Sequence, residues 1–177
     1  MRVVGGKYKR TNLFTLKGDD ITRPTKDMVK EAVFSSVDVE GKRVLDLFAG
    51  SGAIGIEAIS RGAKTCYFSD LSRESIKLIK ENIKICGAED YSVILSGDYR
   101  QNIGRIHDKV DIVLIDPPYS SDFYLDALNE IAKANILNQG GCIVCEHSDK
   151  DELPDEYAGF KKVKDKRYGS IGVTVYE

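Results

Sequence analysis

The sequence holds no tryptophan, only two histidines (His107 and His147), four prolines and four cysteines among 177 residues. Each scarcity excludes something. With two histidines and a single Cys-x-x-C (Cys142, Cys145), the chain lacks the donors of a tetrahedral zinc site, and no metal is expected. The four thiols (Cys66, Cys86, Cys142, Cys145) fit a reduced chain in the cytoplasm, and three of them sit inside or beside apolar runs. Also missing is any apolar run long enough to cross a bilayer, and Met1-Arg2-Val3-Val4-Gly5-Gly6 lacks the apolar centre of a secretion signal, so no membrane partner is expected. Repeats, low-complexity tracts and internal linkers are absent. At this length one well-buried domain follows, expected as a monomer.

There is no excess of charge of either sign: 26 basic side chains stand against 28 acidic ones, a net −2. That balance argues against a strongly cationic nucleic-acid binder, but the distribution is uneven. Residues 1–18 carry Arg2, Lys7, Lys9, Arg10 and Lys17 with no acid, and Lys161, Lys162, Lys164, Lys166 and Arg167 surround a single Asp165. These segments are either solvated ends or a phosphate-facing stripe.

What is present, at 42% apolar and 31% charged residues, is an alternation of short β-branched runs with helical periods. Residues 1–23 read as a basic arm with β-like pieces at Arg2 to Val4 and Leu13 to Leu16. Arg23-Pro24-Thr25 opens a helix that carries Met28, Val29, Ala32, Val33 and Val37 at helical spacing. Strands follow at Arg43 to Phe48, Thr65 to Ser69 (closing on Asp70), Ser92 to Leu95, Val110 to Ile115 and Cys142 to Glu146. The intervening helices carry Ile54 to Ile59, Ile76 to Ile83 and Tyr124 to Ala134. Phe160 to Val163 and Ile171 to Tyr176 read as an antiparallel hairpin around a basic turn. The alternation implies an α/β fold with a mostly parallel sheet.

Two stretches carry chemistry. Val110 to Ile115 ends in Asp116-Pro117-Pro118-Tyr119, where two prolines force a rigid exit from the sheet into the crevice beyond the strand ends. The second is Gly50-Ser51-Gly52-Ala53-Ile54-Gly55, a G-x-G-x-x-G between strand and helix with Asp70 downstream, as a dinucleotide site requires. Asp46 argues against that ligand: a carboxylate beside the turn repels a pyrophosphate and suits a cation lacking phosphate, such as S-adenosylmethionine. Asp70 then serves the ribose and Asp98 the adenine amine. A nicotinamide-dependent oxidoreductase remains the rival from another class. Glu146 and His147 end the next strand at the same edge, and a polar strand exit explains His147 as well as a base would.

Asp46-Leu47-Phe48-Ala49-Gly50-Ser51-Gly52 together with Asp116-Pro117-Pro118-Tyr119 resembles the class I methyltransferases that act on exocyclic amines. Arg2-Val3-Val4-Gly5-Gly6, Arg23-Pro24-Thr25-Lys26-Asp27, Glu31-Ala32-Val33-Phe34, Ser60-Arg61-Gly62-Ala63, Asn82, Glu146-His147 and Tyr168-Gly169 extend the likeness nearly end to end. Over that length the chain is similar to the RsmD family of bacterial 16S ribosomal RNA guanine-N2 methyltransferases. The resemblance implies a Rossmann-like domain over 24–177 with a seven-stranded sheet, and S-adenosyl-L-methionine held by Asp46, Phe48, Gly50, Ser51, Gly52, Asp70, Leu71, Asp98 and Tyr99. It further implies catalysis at Asp116, Pro117, Pro118 and Tyr119, and contacts from Arg2, Lys7, Lys9, Arg10 and Arg23 to ribosomal RNA in the small subunit or its assembly intermediate. Adenine-N6 methylation and a non-catalytic RNA-binding relative are the alternatives.

Overall fold

A computed structural model describes residues 1–16, 23–117 and 122–177. Its elements are α1 (Arg23–Ser36), β1 (Arg43–Asp46), α2 (Ala53–Ser60), β2 (Thr65–Asp70), α3 (Arg73–Cys86), β3 (Ser92–Ser96), α4 (Tyr99–Ile103) and β4 (Val110–Ile115). Then come α5 (Asp122–Ala134), β5 (Leu137–Ser148), β6 (Glu156–Tyr157), β7 (Phe160–Tyr168) and β8 (Ile171–Tyr176). The strands form one sheet in the order β3-β2-β1-β4-β5-β8-β7-β6. Pairing is parallel from β3 to β5 and antiparallel from β5 through β8 and β7 to β6.

Strand alternation assigns the side chains to two layers. Val44, Ile112, Leu114, Val144 and Val175 face a core filled by α1, α2 and α3, including Val29, Ile56, Ile79 and Ile83. Leu45, Val113, Ile115, Ile143 and Tyr176 face the opposite core, filled by Tyr99 and Ile103 of α4 and by Leu128 and Ile131 of α5. The arm belongs to the first layer: Val3, Tyr8 and Leu13 are buried there.

Three expectations change. The sheet has eight strands, not seven, because Glu156–Tyr157 pairs with β7 across a turn at Ala158 and Gly159, both at positive φ. Alanine is no turn signal, and two residues are too few to show an alternation. The supposed basic turn is strand: Lys164 to Arg167 pair with β8, and the chain reverses at Gly169 and Ser170. The arm's β-like pieces meet only as a short hairpin-like pairing, one isolated antiparallel bridge of Arg2 with Asn12 flanked by Val3 N to Thr11 O and Leu13 N to Met1 O, and do not extend into strands. The arm is otherwise tied to α1, α2 and α3. Among the described residues no helix is long and apolar enough to cross a membrane.

Candidate active site

A cavity of about 990 Å³ opens at the carboxyl ends of β1, β2, β4 and β5, where an open α/β sheet offers its ligand crevice. Its floor carries Asp46, Asp70, Asp116 and Glu146, and Met1, Leu16 and Lys30 close it from the arm and α1. The wall is therefore assembled from segments far apart in sequence.

Asp46 is buried at the end of β1 and accepts a hydrogen bond from Gly55 N at 2.9 Å. Burial pushes its carboxyl up to about 7, and the charges of Asp116 and Asp70 add to the rise while the Gly55 bond opposes it. The glycine turn wraps this acid. Gly50 stands at φ +54° with nothing within 4 Å of where a Cβ would lie, so ligand can approach its backbone. Asp70 braces the turn, accepting from Gly50 N and from Ser72 N, each at 2.8 Å. Ser72 caps α3 as its sequence suggests.

At the other end of the crevice Asp98 caps α4, and Tyr99 lies against Phe48 with ring centroids 4.9 Å apart. The Tyr99 hydroxyl donates to Asp126, and Arg100 both pairs with Asp126 at 2.7 Å and sits over the Tyr99 ring. Leu71 is strongly exposed at the cavity rim. Ser51 lines the cavity, and its carbonyl accepts from Asn82 Nδ2 at 2.9 Å. Asn82 also exchanges bonds with Phe14 N and O, at 2.8 and 3.0 Å. One buried amide thus joins the arm to the glycine turn. Nothing in the α3 periodicity singled it out, beyond an amide on the buried face of an otherwise apolar stripe.

Asp116 is exposed and Pro117 buried, and both line the cavity. Pro118 and Tyr119 lie outside the described residues. Glu146 shares the crevice, and its buried Oε2 has no hydrogen-bond partner among the described residues. His147 turns the other way: Nδ1 lies 2.8 Å from the Ser148 carbonyl oxygen, Nε2 lies 2.9 Å from Thr174 Oγ1, and the ring packs on Gly172. With both nitrogens engaged, the polar strand exit describes it better than a base does. Among the described residues no group of three or more metal-ligating side chains converges.

The basic residues divide. Arg2 is held by Asp27, with Nε and Nη2 each 2.9 Å from Oδ2. Lys7, Lys9 and Arg10 are exposed on the arm, with Lys7 Nζ over the Tyr8 and Tyr91 rings. The side chain of Arg23 lies outside the described residues. In the tail, Lys161 pairs with Glu156, Lys162 with Asp155 and Asp165, and Lys164 donates to the Ser36 carbonyl. Lys166 and Arg167 remain exposed.

Comparison with known proteins agrees with this architecture. A family model described as conserved hypothetical protein 95 matches residues 1–177. YlbH of Bacillus subtilis (strain 168) is 34% identical over 182 residues, covering 100% of this chain and 98% of its own. Ribosomal RNA small subunit methyltransferase D of Haemophilus influenzae is 29% identical over 184 residues, covering 100% and 93%. The solved structure of yhhF from Escherichia coli superposes with a TM-score of 0.86 at 25% identity, over 99% of this chain and 96% of that one. A family match over the whole chain and relatives of the same length lead to one conclusion: the chain belongs to the RsmD family of methyltransferases.

Proposed function

We propose that the protein transfers a methyl group from S-adenosylmethionine to the exocyclic N2 amine of a guanine in 16S ribosomal RNA. It acts as a cytoplasmic monomer on the small ribosomal subunit or its assembly intermediate. The observation that carries this reading is the run of acids at one crevice: Asp46 buried beside an open glycine turn, with Asp116 at the end of the neighbouring strand on the same cavity floor.

The residues fit the donor. The cavity is of the size that holds a cofactor. Its turn offers bare backbone at Gly50, and Asp46 presents a carboxyl whose ionisation gains from a nearby cation. Asp70, Leu71 and Asp98 border the cavity where ribose and adenine would lie, and Phe48 and Tyr99 supply an aromatic wall. A pyrophosphate would meet Asp46 and Asp70 at the same turn. The donor, when bound, supplies an electrophilic methyl on a cationic sulfur.

The remaining chemistry belongs to the chain. An exocyclic amine is a weak nucleophile because its lone pair is delocalised into the ring. Asp116 and the Pro117 carbonyl would accept its two N–H bonds and localise that pair toward the methyl, with Tyr119 stacking on the flipped base. Holding amine and methyl in line draws on the ~7 to 11 kcal/mol available from positioning. Asp116→Ala should therefore lower turnover roughly 10²-fold or more while donor affinity stays within a few fold. Near-normal turnover in that variant would remove Asp116 from the chemistry.

Labelled methyl transfer to small ribosomal subunits from cells lacking this protein, followed by nucleoside analysis, tests the whole reading. N2-methylguanosine is the expected product; recovery of N6-methyladenosine would replace the substrate assignment.

A further inference from the structure

One acid of the crevice has no part in the chemistry described above. Asp46 is level with Leu114, Leu114 with Val144, and Ile115 with Cys145 in parallel register. One step beyond, the same register sets Asp116 beside Glu146, and alternation turns both toward the face that carries Asp46. Two neighbouring strands thus deliver carboxyls side by side at the cavity floor.

Glu146 differs from its neighbour. Its Oε2 is buried with no partner among the described residues, and burial, followed by the charges of Asp116 and Asp46, pushes its carboxyl well above the usual carboxylate range. No cation among the described residues offsets it. Lys30 of α1 lines the same cavity but lies 3.9 Å from Glu57 and 3.7 Å from Asp27. Tyr124 of α5 donates its hydroxyl to the Glu146 carbonyl at 2.6 Å, Val173 of β8 is its cross-strand partner, and Asp151 adds a further acid to the cavity wall. A buried acceptor without a partner is costly, and a site that must hold a proton gives it a reason to be there.

Amine methylation supplies such a proton. The nitrogen pair forms the N–C bond, the C–S pair leaves with sulfur, and one N–H proton must depart. Resting on the transferase reading above, we propose that Glu146 is the terminus for that proton, uncharged in the free protein, ionised once the cationic donor fills the crevice, and loaded by way of Asp116. Glu146 acts through Asp116 and is a positioning residue, keeping Asp116 ionised while the amine reacts.

The test begins with binding. Calorimetric titration of S-adenosylmethionine into the full chain at pH 7.5, in buffers of different ionisation enthalpy, should register proton release. S-adenosylhomocysteine, whose sulfur is uncharged, should release at least about threefold less, and so should Glu146→Gln titrated with the donor at near-wild-type affinity. In single-turnover transfer to small ribosomal subunits, Glu146→Gln should be slower by roughly 10²-fold and lose the acid limb of the pH profile, whereas Glu146→Asp keeps both carboxyl and limb. Donor binding without buffer-dependent heat, a wild-type pH profile with no acid limb, or a Gln variant that matches wild type overturns the role of Glu146 and leaves the transferase reading standing. Absence of donor binding overturns the transferase reading itself.

Discussion

Gly55 and Asp46 show at residue scale how the turn and its acid depend on one another. A Cβ on Gly55 would lie 2.3 Å from the Phe68 ring, 2.8 Å from Cys66 Sγ and 3.0 Å from Asp46 Oδ2. The third glycine of the turn is there so that α2 can lie directly on β1 and β2, while Gly52 at φ +76° begins the helix. That close packing buries Asp46 and gives it Gly55 N as a donor. The consequence is a pH dependence with a definite sign. The folded protein holds a proton on Asp46 up to about 7, whereas an unfolded chain loses it near 3.8. This contribution to stability is complete below the unfolded value and is lost as pH rises through the folded one. Asp46→Asn keeps the acceptor for Gly55 and removes the titration. Its stability relative to the wild type, measured by urea unfolding without ligand, should rise between pH 5 and pH 8 by about 2.7 kcal/mol, the linkage over the stretch from pH 5 to the folded value of about 7. A difference that does not change with pH would mean an ordinary carboxyl at this position.

At the scale of elements, the strand ends were legible and the arm was not. Leu114-Ile115-Asp116 and Val144-Cys145-Glu146 each read as a buried strand closing on an acid. Periodicity sufficed because both flanks of each strand are packed. The arm follows no period. Val3, Tyr8 and Leu13 reach the core at a spacing that suits neither helix nor strand. What holds it is long-range: Glu57, wholly buried in α2, accepts from Val4 N and Gly5 N at 2.7 Å, and Ser60 Oγ accepts from Tyr8 N at 2.8 Å. A Cβ on Gly6 would fall 1.8 Å from the Ser60 carbonyl oxygen, so the Gly5-Gly6 pair marks a contact surface, not a loose hinge. No rule of local sequence joins residue 5 to residue 57. The same placement sorts the arm's cations into an anchor, Arg2 on Asp27, and an exposed set, Lys7, Lys9 and Arg10. Replacing those three with alanine should lower the salt dependence of RNA binding by ~0.7 per lost phosphate contact, or about 2 in the slope if all three touch single-stranded backbone. Arg2→Ala should instead lower thermal stability and leave the slope alone. An unchanged slope in the triple variant would assign RNA contact to other residues, with the exposed Lys166 and Arg167 on β7 next in line.

For the whole molecule, the parallel sheet, its helical layers and the antiparallel end were readable because each repeats a grammar of short runs and stops. The two-residue β6 and the length of β7 were not, since the register of β8 extends β7 through residues whose composition suggests a turn. The crevice is likewise a product of the assembled fold. Met1 and Leu16 from the arm, Lys30 from α1 and the ends of four strands enclose it, and no subset of these exists as a site in an unfolded chain. A ligand that fits must therefore bind the folded state alone and stabilise it by mass action, by about 2.7 kcal/mol at a concentration of 100 Kd. In a chain of this size that raises Tm by about 5 to 10 °C, at roughly 2 to 4 °C per kcal/mol. S-adenosylmethionine should produce this shift in a thermal melt at pH 7.5, and NADH at the same concentration should produce none, because Asp46 and Asp70 flank the turn where its pyrophosphate would lie. The opposite pattern, a shift with NADH alone, would return the glycine turn to dinucleotide binding and leave the acids at the strand ends without a cation to meet.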